Sequence, residues 1–124
     1  MKSATVCFNT EYLTVSVAET FLQKAMGLSR VSELKRNEGM LFVFRSEKRR
    51  YFWMKNVLIP LDIIWLNGNL EIVEISRNQQ PCRGFFCPPI SPKVRSQYVL
   101  EINAGLADKI GLRIGDQARV IIQS

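Results

Sequence analysis

Apolar and β-branched residues dominate positions 5–8 and 12–17, with polar Asn9, Thr10 and Glu11 between them, and this pattern predicts an opening β-hairpin. From Thr20 the period changes. Ala18, Phe21, Leu22, Ala25 and Leu28 recur at helical spacing, and Thr20 with Gln23 forms a T-x-x-Q capping box, so a short helix is expected to end near Gly27. Positions 29–39 are polar and aperiodic, as in a connecting loop. Further strands are predicted over 40–44, 51–54, 57–66 and 70–75, with Asn67-Gly68-Asn69 as the hairpin turn between the last two. Leu61, Ile63 and Trp65 share one face of their strand and Asp62 takes the other. Ile64 and Leu66 lie on that second face too, which predicts a central strand covered on both sides.

Four prolines between 81 and 92 rule out a regular ladder there, so 78–92 reads as a long loop. It lacks the Gly/Ser composition of a flexible linker. An ordered flap beside Trp53, Lys55 and Asp62 is expected, anchored by Phe85 and Phe86. A strand over 98–102 follows, then a short helix capped by Asn103 and stopped at Gly111, a turn at 113–116 held by Asp116, and a last strand over 117–122. The expected fold is mainly β, a single small β-barrel-like domain over residues 1–124 with about seven or eight strands and two short helices.

At 124 residues the chain has room for one core. Its 47% hydrophobic and 23% charged residues match ordinary globular proteins. The apolar run 57–66 contains Pro60 and Asp62 and is about half the length of a membrane span. The amino terminus lacks the apolar stretch of a secretory signal, so the chain as given reads as cytoplasmic. No histidine is present, which excludes imidazole triads, bases and metal ligands. Cys82 and Cys87 are spaced too widely for a zinc half-site. They are close enough to pair, although a cytoplasmic setting would keep both reduced. No glycine loop for phosphate is found, and no cofactor is expected.

Candidate chemistry concentrates in Phe52-Trp53-Met54-Lys55-Asn56 and Pro60-Leu61-Asp62, where a cation, an amide and a carboxylate punctuate an apolar run. The competing reading is a Lys55–Asp62 pair at a strand end with Asn56 in a turn. Together with Gly27-Leu28 and Arg30, with 39–44, with Tyr98-Val99-Leu100-Glu101 and Asn103-Ala104-Gly105, and with Gly111 and Gly115-Asp116, these motifs resemble the domain-of-unknown-function family 192 over nearly the whole chain. The resemblance implies a β-barrel-like domain with short helices. It carries no established activity, substrate or cofactor. It also implies that many relatives are exported through an added amino-terminal segment, which the chain as given is read as lacking.

Three functional readings follow. In the first, Arg30, Trp53, Lys55, Asn56, Asp62 and Glu101 form a non-enzymatic pocket for a small polar ligand or peptide. In the second, Asp62 and Glu101 act with Lys55 in a hydrolase. The third draws on the net charge of +6, from seventeen Lys and Arg against eleven Asp and Glu. Arg45, Lys48, Arg49, Arg50 and Arg83, interleaved with aromatics, would then bind nucleic acid or another anionic surface, although solvated basic loops explain the same run.

Overall fold

The computed structural model describes residues 1–123. The opening hairpin joins β1 (Lys2–Phe8) to β2 (Glu11–Ala18). Helix α1 (Phe21–Met26) starts where its capping box sits, with the Thr20 hydroxyl accepting from Gln23 N and the Gln23 amide oxygen accepting from Thr20 N. Strand β3 (Glu38–Lys48) then pairs in parallel with β2. Strands β4 (Leu61–Leu66) and β5 (Ile72–Gln79) form the hairpin around Asn67 and Gly68. Strand β6 (Ser96–Asn103) lies between β3 and β4, helix α2 (Leu106–Lys109) follows it, and β7 (Ala118–Gln123) returns to pair with β1.

The result is one seven-stranded sheet in the order β5-β4-β6-β3-β2-β1-β7. Its two edge strands approach each other only at their ends, through an isolated Glu71–Gln117 bridge and the bonds Ile72 N to Asp116 O, Gly115 N to Ile72 O and Ala118 N to Leu70 O, at 2.7–2.9 Å. The architecture is therefore mainly β with two short helices, as the pattern predicts, but its ladder is not continuous around a barrel.

The period-2 rule separates two apolar layers. One holds Val6, Phe8, Val15, Leu41, Ile64, Leu100 and Ile102, closed by Leu106 and Ala107 of α2. The other holds Met40, Phe42, Leu61, Ile63, Trp65 and Val99. Every residue of β4 is buried, as expected for a central strand. The second layer is covered by irregular chain, which explains two departures from the predicted strands. Residues 51–54 and 57–59 form no ladder, because they lie across the sheet face instead of along an edge. Single bridges, Phe52 to Ile90 and Lys55 to Cys82, hold them to the proline-rich loop. That loop does pack beside Trp53 and Lys55. Its anchors, however, are Cys87 and the part-buried Ile90, while Phe85 and Phe86 project into solvent.

Cys82 and Cys87 are disulfide-bonded, with their Cα atoms 5.8 Å apart, a pairing that their spacing allows and that the residues alone leave open. Asn103 does not cap α2 either. Its amide donates to Leu34 O and Lys35 O at 2.9 and 3.2 Å, and the capping role falls to Asp62. Asp116 behaves as expected, accepting from Arg113 N at 2.9 Å. Among the described residues no helix is long and apolar enough to cross a membrane.

Candidate functional site

An open groove of about 370 Å³ lies on the second layer. Its size falls in the range of about 300–1,000 Å³ usual for small-molecule sites. Helix α1 builds one wall from Phe21, Lys24, Ala25 and Met26. Of the apolar stripe read from the sequence, only the flanking Ala18 and Leu28 are buried, while Phe21, Leu22 and Ala25 within α1 are exposed. The opposite wall is the irregular segment carrying Tyr51, Phe52, Trp53, Lys55 and Val57. Phe42 and Phe44 of β3 and Glu101 of β6 form the floor. Gly27, at φ 49°, lets the chain leave α1 directly over the Phe42 ring.

Aromatic contacts fix the floor and one wall. The Phe52 ring meets Phe42 at 4.9 Å and Trp65 at 5.4 Å, both edge to face. Phe44 lies between two cations, Lys24 Nζ at 4.3 Å and the Arg50 guanidinium at 3.9 Å. Lys24 also donates to Val43 O at 3.1 Å. Burial, and then repulsion from Arg50 and Arg45, push its ammonium below the ordinary lysine range. Lys55 is exposed, with its Nζ 5.7 Å from the Trp53 ring. Among the described residues the ion pairs are Lys2–Glu19 and Arg77–Asp108, so no carboxylate neutralises the groove's lysines.

Glu101 is the unusual member. It is 4% exposed, sits between Met40 on β3 and Ile63 on β4, and has no side-chain hydrogen bond or ion pair among the described residues. Burial among apolar neighbours pushes its carboxyl up to about 8. The group is thus mostly protonated at neutral pH, able both to donate and to accept at the groove floor.

Of the six pocket residues read from the sequence, the structure brings Trp53, Lys55 and Glu101 to this groove. Arg30 and Asn56 are exposed residues outside its lining. They face each other across a backbone bond, Arg30 N to Asn56 O at 3.0 Å, each with φ near +60°. Asp62 also lies elsewhere. It pairs in register with Ile102, and Glu101 pairs with Ile63, so alternation puts the two carboxylates on opposite faces of the sheet. Asp62 accepts from Asn78 N at 2.9 Å and from Gly105 N and Ala107 N at 3.0 Å, tying β5 and α2 to β4. An Asp62–Glu101 acid-base pair therefore has no common substrate to act on, and Lys55 makes no pair with Asp62.

Lys24 escaped the sequence reading. A signal was present, since it falls between Phe21 and Leu28 on the same helical stripe. Of the basic run expected as a loop, Arg45 and Lys48 lie exposed on the end of β3, whereas Arg49 donates to Pro92 O at 3.3 Å and Arg50 donates to Ser46 O and Ser96 O. Arg83 is exposed within the disulfide loop. Among the described residues no three Cys, Asp or Glu side chains converge as metal ligands.

Two solved structures share this fold. One, a "putative transcription regulator" from Sinorhizobium meliloti, is 28% identical with a TM-score of 0.85, the match covering 96% of this chain and 92% of that one. The other, a protein of unknown function from Novosphingobium aromaticivorans, is 32% identical with a TM-score of 0.82, covering 94% and 83%. No curated protein matches the chain. The sequence model of the uncharacterised family DUF192, described as Uncharacterized ACR, matches residues 4–120, and the chain belongs to that family.

Proposed function

We propose that this protein is a non-enzymatic binding domain that holds a small polar ligand or a peptide segment in the groove between α1 and residues 51–57. The observation that carries this reading is Glu101, a buried carboxyl without a protein partner at the floor of an open aromatic groove. An unpaired polar group of this kind costs stability, and a ligand that bonds to it offsets the cost. The exposed Trp53 ring and the Lys55 ammonium supply an apolar surface and a charge beside it. A thermal-shift screen of polar metabolites and short peptides tests the reading. Hits should raise the Tm of the wild type more than that of a Trp53→Ala, Lys55→Ala variant, whose exposed substitutions leave the core intact. If no compound separates the two proteins, the groove is not a binding site.

A second reading, nucleic-acid binding, draws on the description of the Sinorhizobium meliloti protein and on the exposed Phe85 and Phe86 next to Arg83. Gel retardation with single-stranded DNA and RNA across a salt series decides it. Phosphate contact must weaken steeply as salt rises, and indifference at low salt removes this reading.

A further inference from the structure

Resting on the groove reading above, we infer that the ligand is a small organic anion with a flat ring body, its negative group set at the lysine rim and a neutral hydroxyl or carbonyl turned toward Glu101. The charge follows from what surrounds the site. Lys24 shares the Phe44 ring with Arg50, burial and then repulsion from Arg50 and Arg45 weaken its hold on a proton, and no carboxylate within the described residues pairs with it. Lys55, at the other wall, is equally without an acidic partner. Glu101 does not supply the missing charge, because burial keeps it largely protonated at neutral pH. The field in the groove is positive, and an anion relieves it.

The ring body follows from shape and surface. The part-buried rings of Phe44 and Phe52 line the floor and wall, and Trp53 leaves more than half of its surface in solvent. A cationic ligand is disfavoured because protein cations already occupy the aromatic faces: Lys24 and Arg50 flank Phe44, and Lys55 approaches Trp53. Glu101, protonated, can donate to a carbonyl or accept from a hydroxyl without taking a second charge out of water.

The test uses the full chain and one ring in three charge states: 4-hydroxybenzoate, 4-hydroxybenzyl alcohol and tyramine, with acetate as a charge-only control. Binding is followed near neutral pH and low salt through the indole N–H resonances, with the Trp53 signal assigned by Trp53→Phe. The benzoate should move the Trp53 signal and bind at least about tenfold more tightly than the alcohol, with tyramine weakest. A Lys24→Met, Lys55→Met variant, which keeps the aliphatic stems, should close that gap. Glu101→Gln should retain binding that Glu101→Leu weakens. Equal affinity for the alcohol, tighter binding of tyramine, or an equal response to acetate overturns the inference while leaving a groove that binds something else. Silence of the Trp53 signal with all three rings also overturns it, and the broader thermal-shift screen then decides separately whether the groove binds anything.

Discussion

Two buried carboxylates on adjacent strands have opposite surroundings, and the difference is open to measurement. Glu101 lacks partners, and burial raises its pKa from 4.5 to about 8. Between those values the unfolded chain has lost the proton that the folded chain keeps, so stability falls as pH rises across this window and levels off above it. Glu101→Gln removes the titration. Urea unfolding from about pH 5 to 8 should show the variant gaining on the wild type, by at most about 1.4 kcal/mol per pH unit, and parallel curves would refute the burial argument. Asp62, by contrast, satisfies three backbone N–H groups. Asp62→Ala should cost about 3 kcal/mol or more by orphaning buried donors, and should leave ligand binding in the groove intact wherever the variant remains folded. Loss of binding in the folded variant would return Asp62 to the site.

At the scale of elements, the groove depends on close approach between β3 and β6. A Cβ at Gly39 would collide with the backbone carbonyl of Glu101, with no flexible side chain to yield. Gly39→Ala should therefore destabilise the fold by about 1–3 kcal/mol and shift the Glu101 backbone amide in NMR spectra. An unchanged Tm would contradict this packing. The loop that borders Lys55 is closed by the Cys82–Cys87 bond, with Arg83 exposed inside it. Trypsin cutting after Arg83 should leave the two fragments joined, separating only after reductant. For so short a loop, a Cys82→Ser, Cys87→Ser variant should lose about 2 kcal/mol. Fragments that separate without reductant would show the bond absent.

For the molecule as a whole, the seam between the sheet edges carries the argument. The amides of Ile72, Gly115 and Ala118 are bonded across it, to Asp116, Ile72 and Leu70. They should exchange with solvent as slowly as central amides of β4 and β6, by global unfolding, if the seam belongs to the cooperative core. Fast exchange at these three positions would make β7 a loosely attached edge.

Local chemistry left a clear record in the chain. The T-x-x-Q box marked the start of α1, Asn67-Gly68 marked the β4–β5 turn, Asp116 marked the last turn, and the apolar positions 61–66 marked a strand buried on both faces. Each depends on residues within a few positions of one another, where turn geometry and side-chain period act directly. Trp53, Lys55 and Glu101 could be singled out because charge and amphipathic aromatics stand out in apolar runs. Their meeting in one groove, and the exclusion of Asp62 from it, depended on which strand lies beside which and in what register. A shift of one residue exchanges the faces of a strand, and the residues that set this register are about forty positions apart. The same holds for the extended residues 51–54, whose strand-like composition found a sheet face to cover instead of an edge to join, because packing outweighs local propensity once the central strands have paired.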